Sequence, residues 1–195
     1  MIPLENTLFK YQLDCQSIMI ASRFFNSIDD FINLEFCSKR FRLNMEKFFY
    51  NPISLNSNTI KLFPNIQTLH IYDNNDEYLK CQQIIKYVDW RKLKYSECQF
   101  ISYSNNIPIQ NIQFKHCILT HWDVKQMFSN NEQSIIIPSL VNELESECFW
   151  SCYNLTKIEF PTTITKISDG CFKECEFNKF IIPSHIKELG KKCLI

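Results

Sequence analysis

The chain has 195 residues, sets 21 Lys+Arg against 21 Asp+Glu, and contains only two glycines. A balanced charge gives no general field to draw in nucleic acid or acidic lipid, and two glycines cannot build a glycine-rich phosphate loop. That length covers one to two domains and buries a sizeable core.

The first residues, MIPLENTLFKYQ, carry Glu5 and lack the apolar stretch of a signal peptide. No apolar run approaches the ~18 residues of a membrane span. Both features make the cytosol the expected compartment. Residues 13–50 then show helical patterning without any repeat. Ser17 to Phe25 is expected as a short helix with Ile18, Ala21, Phe24 and Phe25 on one side. Ser27-x-x-Asp30 reads as a capping box opening a second helix, Ile28 to about Cys37. Ser38 to Phe49 is expected as a third, with the boundary to the next region near Pro52.

The runs Ile18-Met19-Ile20, Phe24 to Phe31 and Phe36 to Phe41 resemble an F-box-like module. The usual Leu-Pro opening is absent before Ile18. The resemblance implies binding of a Skp-type adaptor of a ubiquitin ligase through Ile18, Ile20, Phe24, Ile28 and Phe31. The alternative is a helical cap over the open end of a repeat array.

From residue 53 onward the pattern repeats. Pro138, Pro161 and Pro183 are spaced by 23 and 22 residues, and Cys148, Cys171 and Cys193 keep the same two steps. A period of roughly 20–29 residues with an apolar ladder marks a leucine-rich-repeat solenoid. Ile66-x-x-Leu69-x-Ile71-x-x-Asn74, Trp90-x-x-Leu93-x-Tyr95-x-x-Cys98 and Ile109-x-x-Ile112-x-Phe114-x-x-Cys117 fit the same pattern. The expected strand ladder is Leu69, Leu93, Ile112, Ile135, Ile158 and Phe180. Helical spacing at Tyr78, Cys81, Ile85 and Val88 predicts a helix after the first strand. The short coil at 93–111 predicts a loop over Ser102 to Asn106, and Thr120-x-x-Asp123 predicts a capped helix through Met127 and Phe128. The last three coils place Pro after the strand, where its missing N–H ends the ladder. The fold class is therefore α/β: a leucine-rich-repeat solenoid with a parallel strand ladder over 53–195, about six coils with the last truncated, behind a small helical module over 1–52.

The segments Ile135 to Cys152 and Ile158 to Cys175, each I-x-I/F-P followed by Cys-Phe-x-x-Cys, resemble the BspA-like (treponemal-type) leucine-rich repeat. Cys stands where that family usually has Ala before Phe. The resemblance implies a surface for binding proteins, in some relatives displayed on the cell surface.

Three roles compete for the ten cysteines. Cys98, Cys117, Cys148, Cys171 and Cys193 fall in inward slots as core thiols. Adjacent coils bring Cys148 and Cys171 close enough to consider a disulfide, which a reducing cytosol disfavours. Cys148, Cys152, Cys171 and Cys175 together offer a zinc-like thiolate set. Repeat register accounts for the pattern without metal, so no metal or cofactor is expected. His116 and His121 are five residues apart, no His-Glu-x-x-His or Gly-x-Ser-x-Gly occurs, and no enzyme is expected. The basic spot Arg91-Lys92, with Lys94, reads as a solvated edge.

The expected binding surface is the concave face, with His70, Tyr72, Lys94, Gln113, Lys115, Ile136, Glu159 and Ile181 outward between ladder positions. Ile136 and Ile181 stand out, because exposed apolar patches mark contacts. The third copy stops at Cys193-Leu194-Ile195 with no capping segment. Either such an open end meets another chain, as in end-to-end self-association, or the chain is a shortened member of the family it resembles.

Overall fold

Side-chain caps decide where the first helices begin. In the computed structural model, which describes residues 13–129, 131–177 and 180–193, the Asp14 carboxylate accepts the Ser17 N–H at 2.6 Å and starts α1, Cys15–Ser22. Ser27 and Asp30 form a reciprocal capping box that starts α2, Ile28–Cys37. Each such cap satisfies N–H groups that a helix start leaves without partners. The third expected helix is absent. Ser38 to Phe49 makes only two 3-10 turns, Lys39–Phe41 and Met45–Lys47. Between them Leu43 takes a left-handed φ of 61°, which no continuous α-helix tolerates.

The chain divides into two compact units, residues 1–86 and 87–195. The first unit has an aromatic heart. Phe31 meets Phe25, Phe48 and Phe63 edge-on, with ring centroids 5.0, 5.7 and 5.3 Å away. Strand β1, Thr68–Ile71, buries Leu69 and Ile71. Asn51, fully buried, braces it. Its amide oxygen accepts the His70 N–H at 2.6 Å, and its amide nitrogen donates to the His70 carbonyl at 2.8 Å.

No helix forms over Tyr78 to Val88. The C-terminal end of that stretch is instead the start of strand β2, Lys86–Lys94. Tyr87, Val88 and Asp89 are buried in succession. Periodicity misleads here because a fully buried strand need not alternate. The expected loop at Ser102 to Asn106 is also overturned. An α-helix, α3, runs over Tyr95–Asn105 and ends at Asn106 in the left-handed conformation. The coil is longer than the sequence ladder implied, because β2 pairs with β3, Ile112–Leu119, in the register Tyr87↔Ile112 and Leu93↔Cys117. Helix α4, His121–Met127, follows with the expected Thr120/Asp123 capping box. Both capping residues are buried, and the Asp123 carboxylate also accepts the Ser96 N–H at 3.1 Å.

Beyond α4 the next two coils carry two short strands each, and the described part of the last carries one. Strand β4, Ser134–Ile136, pairs in parallel only with β6, Lys157–Glu159. The β2–β3 sheet continues through β5, Glu143–Leu144, then β7, Lys166–Ile167, and β8, Glu188–Leu189. Its register is Leu119↔Leu144↔Ile167↔Leu189. The single ladder expected through Ile112, Ile135, Ile158 and Phe180 is thus two ladders on different sides of the coil. Every column of a solenoid shares the same period, so stepping by 23 residues cannot tell one side from the other. Proline separates them: the chain turns at Pro138 and Pro161, where Val141 and Ile164 donate back to the proline carbonyls, and only then does the second strand begin.

The unit's core is continuous between these sheets. Ile135, Ile137, Val141, Leu144, Cys148, Phe149, Ile164, Ile167, Cys171 and Phe172 are all at most 3% exposed. The turns stack as well, with the N–H groups of Glu147, Phe149 and Ser151 donating to the carbonyls of Asp169, Cys171 and Lys173 at 3.0, 2.8 and 3.1 Å. Each turn uses left-handed residues in matching places: Glu147, Gly170 and Lys192 in one column, Ser151 and Glu174 in another. Gly190 lies so close to the Ser168–Asp169 backbone that a Cβ would collide with it.

Candidate protein-interaction surfaces

The eight residues expected on one face are distributed over three places. His70 and Tyr72 belong to the first unit and are half-buried. His70 stacks on Tyr50 at 4.9 Å, and the Tyr72 hydroxyl donates to the Asn51 carbonyl at 2.7 Å. Burial pushes the Tyr72 phenol well above its ordinary value. These contacts make both residues part of the local scaffold. Lys94, Gln113 and Lys115 lie on β2–β3, and the Lys115 ammonium sits 5.2 Å from the Trp90 ring centroid. Ile136 and Glu159 are direct neighbours on β4–β6. Ile181 lies in the next coil, where Phe180 packs edge-on 6.0 Å from Phe160.

The β4–β6 side is the more apolar surface. Ile136 is 68% exposed and Ile181 64%, with Ile182 open beside it. Lys157 and Glu159 pair across this face at 2.6 Å. The outer side of the longer sheet differs completely. Lys92 on β2, Glu143 on β5, Lys166 on β7 and Glu188 on β8 alternate in sign along the sheet, with N–O separations of 3.4, 3.1 and 3.7 Å. Hydrogen bonding to the Glu143 carboxylate holds the Lys166 ammonium above the ordinary lysine value. Exposed, solvent-screened pairs of this kind contribute little, so the row matters more as a polar face than as a source of stability. Its 23- and 22-residue spacing from Glu143 through Lys166 to Glu188 was visible in the sequence, but only the correct strand register identifies it as one row.

Of the five residues expected to meet an adaptor, Ile18 and Phe31 are 7% and 0% exposed and belong to the first unit's own core. In α1 the inward side is Ile18 with Ser22, not the expected row of Ile18, Ala21, Phe24 and Phe25, since Ala21 and Phe24 are exposed. Ile28 is half-buried. Ile20 and Phe24 are open, as are Phe36 and Leu43 in the same unit.

Two cysteine columns run through the second unit. Cys148, Cys171 and Cys193 are buried, and the Cys148 thiol donates to the Leu119 carbonyl at 3.2 Å. Burial pushes that thiol well up. Cys152 and Cys175 form a second, half-buried column. All ten cysteines are free thiols in this structure. Among the described residues, no group of three or more His, Cys, Asp or Glu side chains is disposed to hold a metal ion. Beside the second column lies a cleft of about 430 Å³ whose walls include His121, Lys125, Trp150, Cys152, Tyr153 and Leu155.

Residues 101–195 match the family model for the BspA type leucine rich repeat region, in 6 copies. The chain therefore carries a BspA-type leucine-rich-repeat region over just under half its length. No curated protein and no solved structure matches the chain. Among the described residues, no helix is long and apolar enough to cross a membrane. The leader reading rests on Met1 to Gln12, and the open C-terminal end rests on Leu194 and Ile195. Both fall outside the described residues.

Proposed function

We propose that the repeat region is a non-catalytic protein-interaction module that offers its β4–β6 face to a protein ligand. The observation that carries this is the exposure of Ile136 and Ile181, 68% and 64%, in the coils before and after the one that holds Glu159. Outward aliphatic side chains gain nothing from the core, whereas burial under a partner contributes about 25 cal/mol per Å² of apolar surface. The family match supports the same reading, because stacked repeats present extended surfaces rather than catalytic pockets.

The double variant Ile136→Asp/Ile181→Asp tests it. Unfolding stability should change by no more than about 0.5 kcal/mol per site, as for ordinary surface positions. Binding of proteins captured by the wild-type chain should fall about tenfold or more, the equivalent of at least ~1.4 kcal/mol. Equal capture by wild type and variant would remove this face from consideration.

A second reading has its own observation. Ile20, Phe24, Phe36 and Leu43 leave large apolar side chains open on the first unit, which suits an F-box-like arm docking a Skp-type adaptor. Full-length Ile20→Asp/Phe24→Asp should then lose adaptor binding in a purified pulldown while keeping its helical signal. A wild-type chain that fails to retain adaptor in that assay sinks the reading.

A further inference from the structure

The two cysteine columns have opposite chemistry, and only one of them faces a reagent. Cys152 and Cys175 follow left-handed residues, Ser151 and Glu174, in equivalent turns of consecutive coils. Those turns are held together by the Phe149→Cys171 and Ser151→Lys173 backbone hydrogen bonds at 2.8 and 3.1 Å. The Cys175 thiol donates to the Phe149 carbonyl at 3.1 Å, which sets it against the turn that carries Cys152. Neighbouring chains in such a stack lie about 4.8 Å apart, within the ~4.4–6.8 Å Cα separation that a disulfide spans. Both residues are half-buried, and Cys152 also forms part of the cleft wall. By contrast, Cys148 and Cys171 are 0% exposed.

We propose that Cys152 and Cys175 are an oxidisable dithiol that a low-molecular-weight disulfide of the glutathione class converts into a covalent staple between two coils. The reaction balances in two exchanges. The Cys152 thiolate attacks one sulfur of the reagent, forming a mixed disulfide and expelling one reagent thiolate. The Cys175 thiol then loses its proton to solvent, and its sulfur attacks the Cys152 sulfur, expelling the second reagent thiolate. Two electrons pass from the protein dithiol to the reagent, which leaves as two thiols.

The order of attack follows from the surroundings. The adjacent Cys175 thiol, with the nearby Lys125 ammonium adding to it, holds the Cys152 thiol below its ordinary value. The same contact raises Cys175. Cys152 is thus the nucleophile and Cys175 the resolving thiol. The product locks residues 149–152 to residues 172–175 and removes a thiol from the cleft wall.

The test uses the full-length protein with glutathione disulfide, followed by alkylation, digestion and mass spectrometry. Wild type should yield a Cys152–Cys175 cross-linked peptide. Cys175→Ser should stop at a glutathione adduct on Cys152, and Cys152→Ser should give neither adduct at Cys175 nor cross-link. Serine keeps a donor for the Phe149 carbonyl, which the Cys175 thiol meets at 3.1 Å. A measurement on unaltered protein guards against misfolded variants: brief iodoacetamide treatment should modify Cys152 about tenfold faster than Cys175 or Cys148. The exposed Cys15 and Cys37 supply the internal control. If they take up glutathione while Cys152 and Cys175 stay reduced, or if Cys152 and Cys175 alkylate at equal rates, the proposal fails.

Discussion

Phe172→Ala is expected to destabilise the second unit by about 3–5 kcal/mol, the range for truncating a buried aromatic. Phe172 is 1% exposed. Its ring stacks on Phe149 at 5.4 Å and meets Phe160, Phe177 and Phe180 at 6.1, 5.7 and 5.0 Å. It therefore joins the proline-turn side of one coil to the turn of the coil before it. Alanine leaves a cavity that several rings cannot collapse into without leaving their rotamers. In a stack where each coil touches only its neighbours, the loss should be local first. Hydrogen exchange should rise at the Glu143, Lys166 and Glu188 strands while the first half of β3 stays protected. Chemical denaturation supplies the magnitude. A loss under about 1 kcal/mol would mean that Phe172 is not the joint described.

What could be read from the sequence depended on how local its cause was. Helices α2 and α4 start where Ser27/Asp30 and Thr120/Asp123 put them, because a capping box acts over three residues. The strand expected at Leu93 is the C-terminal half of β2, but its first half, Lys86 to Val88, reads as the end of a helix, because pairing with β3 makes it a strand and that partner lies some 24 residues away in register. The period of the repeat was legible, but its phase was not. Ile135 and Leu144 belong to one coil and to different sheets, and both columns advance by 22 or 23 residues. The outward positions of Ile136 and Glu159 follow simple alternation along β4 and β6, whereas Ile181 and Ile182 are both exposed and lie in no strand. The ion row Lys92–Glu143–Lys166–Glu188 was not legible, since three of its members lie on the second column of short strands, which the expected ladder does not contain.

Arg91→Ala is expected to cost about 3–5 kcal/mol, because it strips the guanidinium from a buried carboxylate. Asp89 is 0% exposed on its side chain and Arg91 only 15%. The guanidinium grips both carboxylate oxygens: Nε donates to Oδ1 at 2.9 Å and Nη2 to Oδ2 at 2.5 Å. The Arg91 backbone N–H also donates to Oδ1 at 2.9 Å. The pair sits where β2 bulges, between the registers Asp89↔Phe114 and Lys92↔His116, so it closes on itself the stretch of strand that the ladder leaves irregular. Two comparisons separate ion pairing from packing. Arg91→Lys should recover little, since an ammonium cannot reproduce a two-pronged grip. Asp89→Asn/Arg91→Leu should recover more than half of the loss, since it removes the buried charge together with its partner while an amide oxygen still accepts the backbone N–H. By the same reasoning Lys92→Ala, at a side chain 62% exposed beside Glu143, should cost about 1 kcal/mol at most. Urea denaturation of the four variants ranks them. If Arg91→Ala and Lys92→Ala prove equally mild, the buried pair does not hold this strand in place.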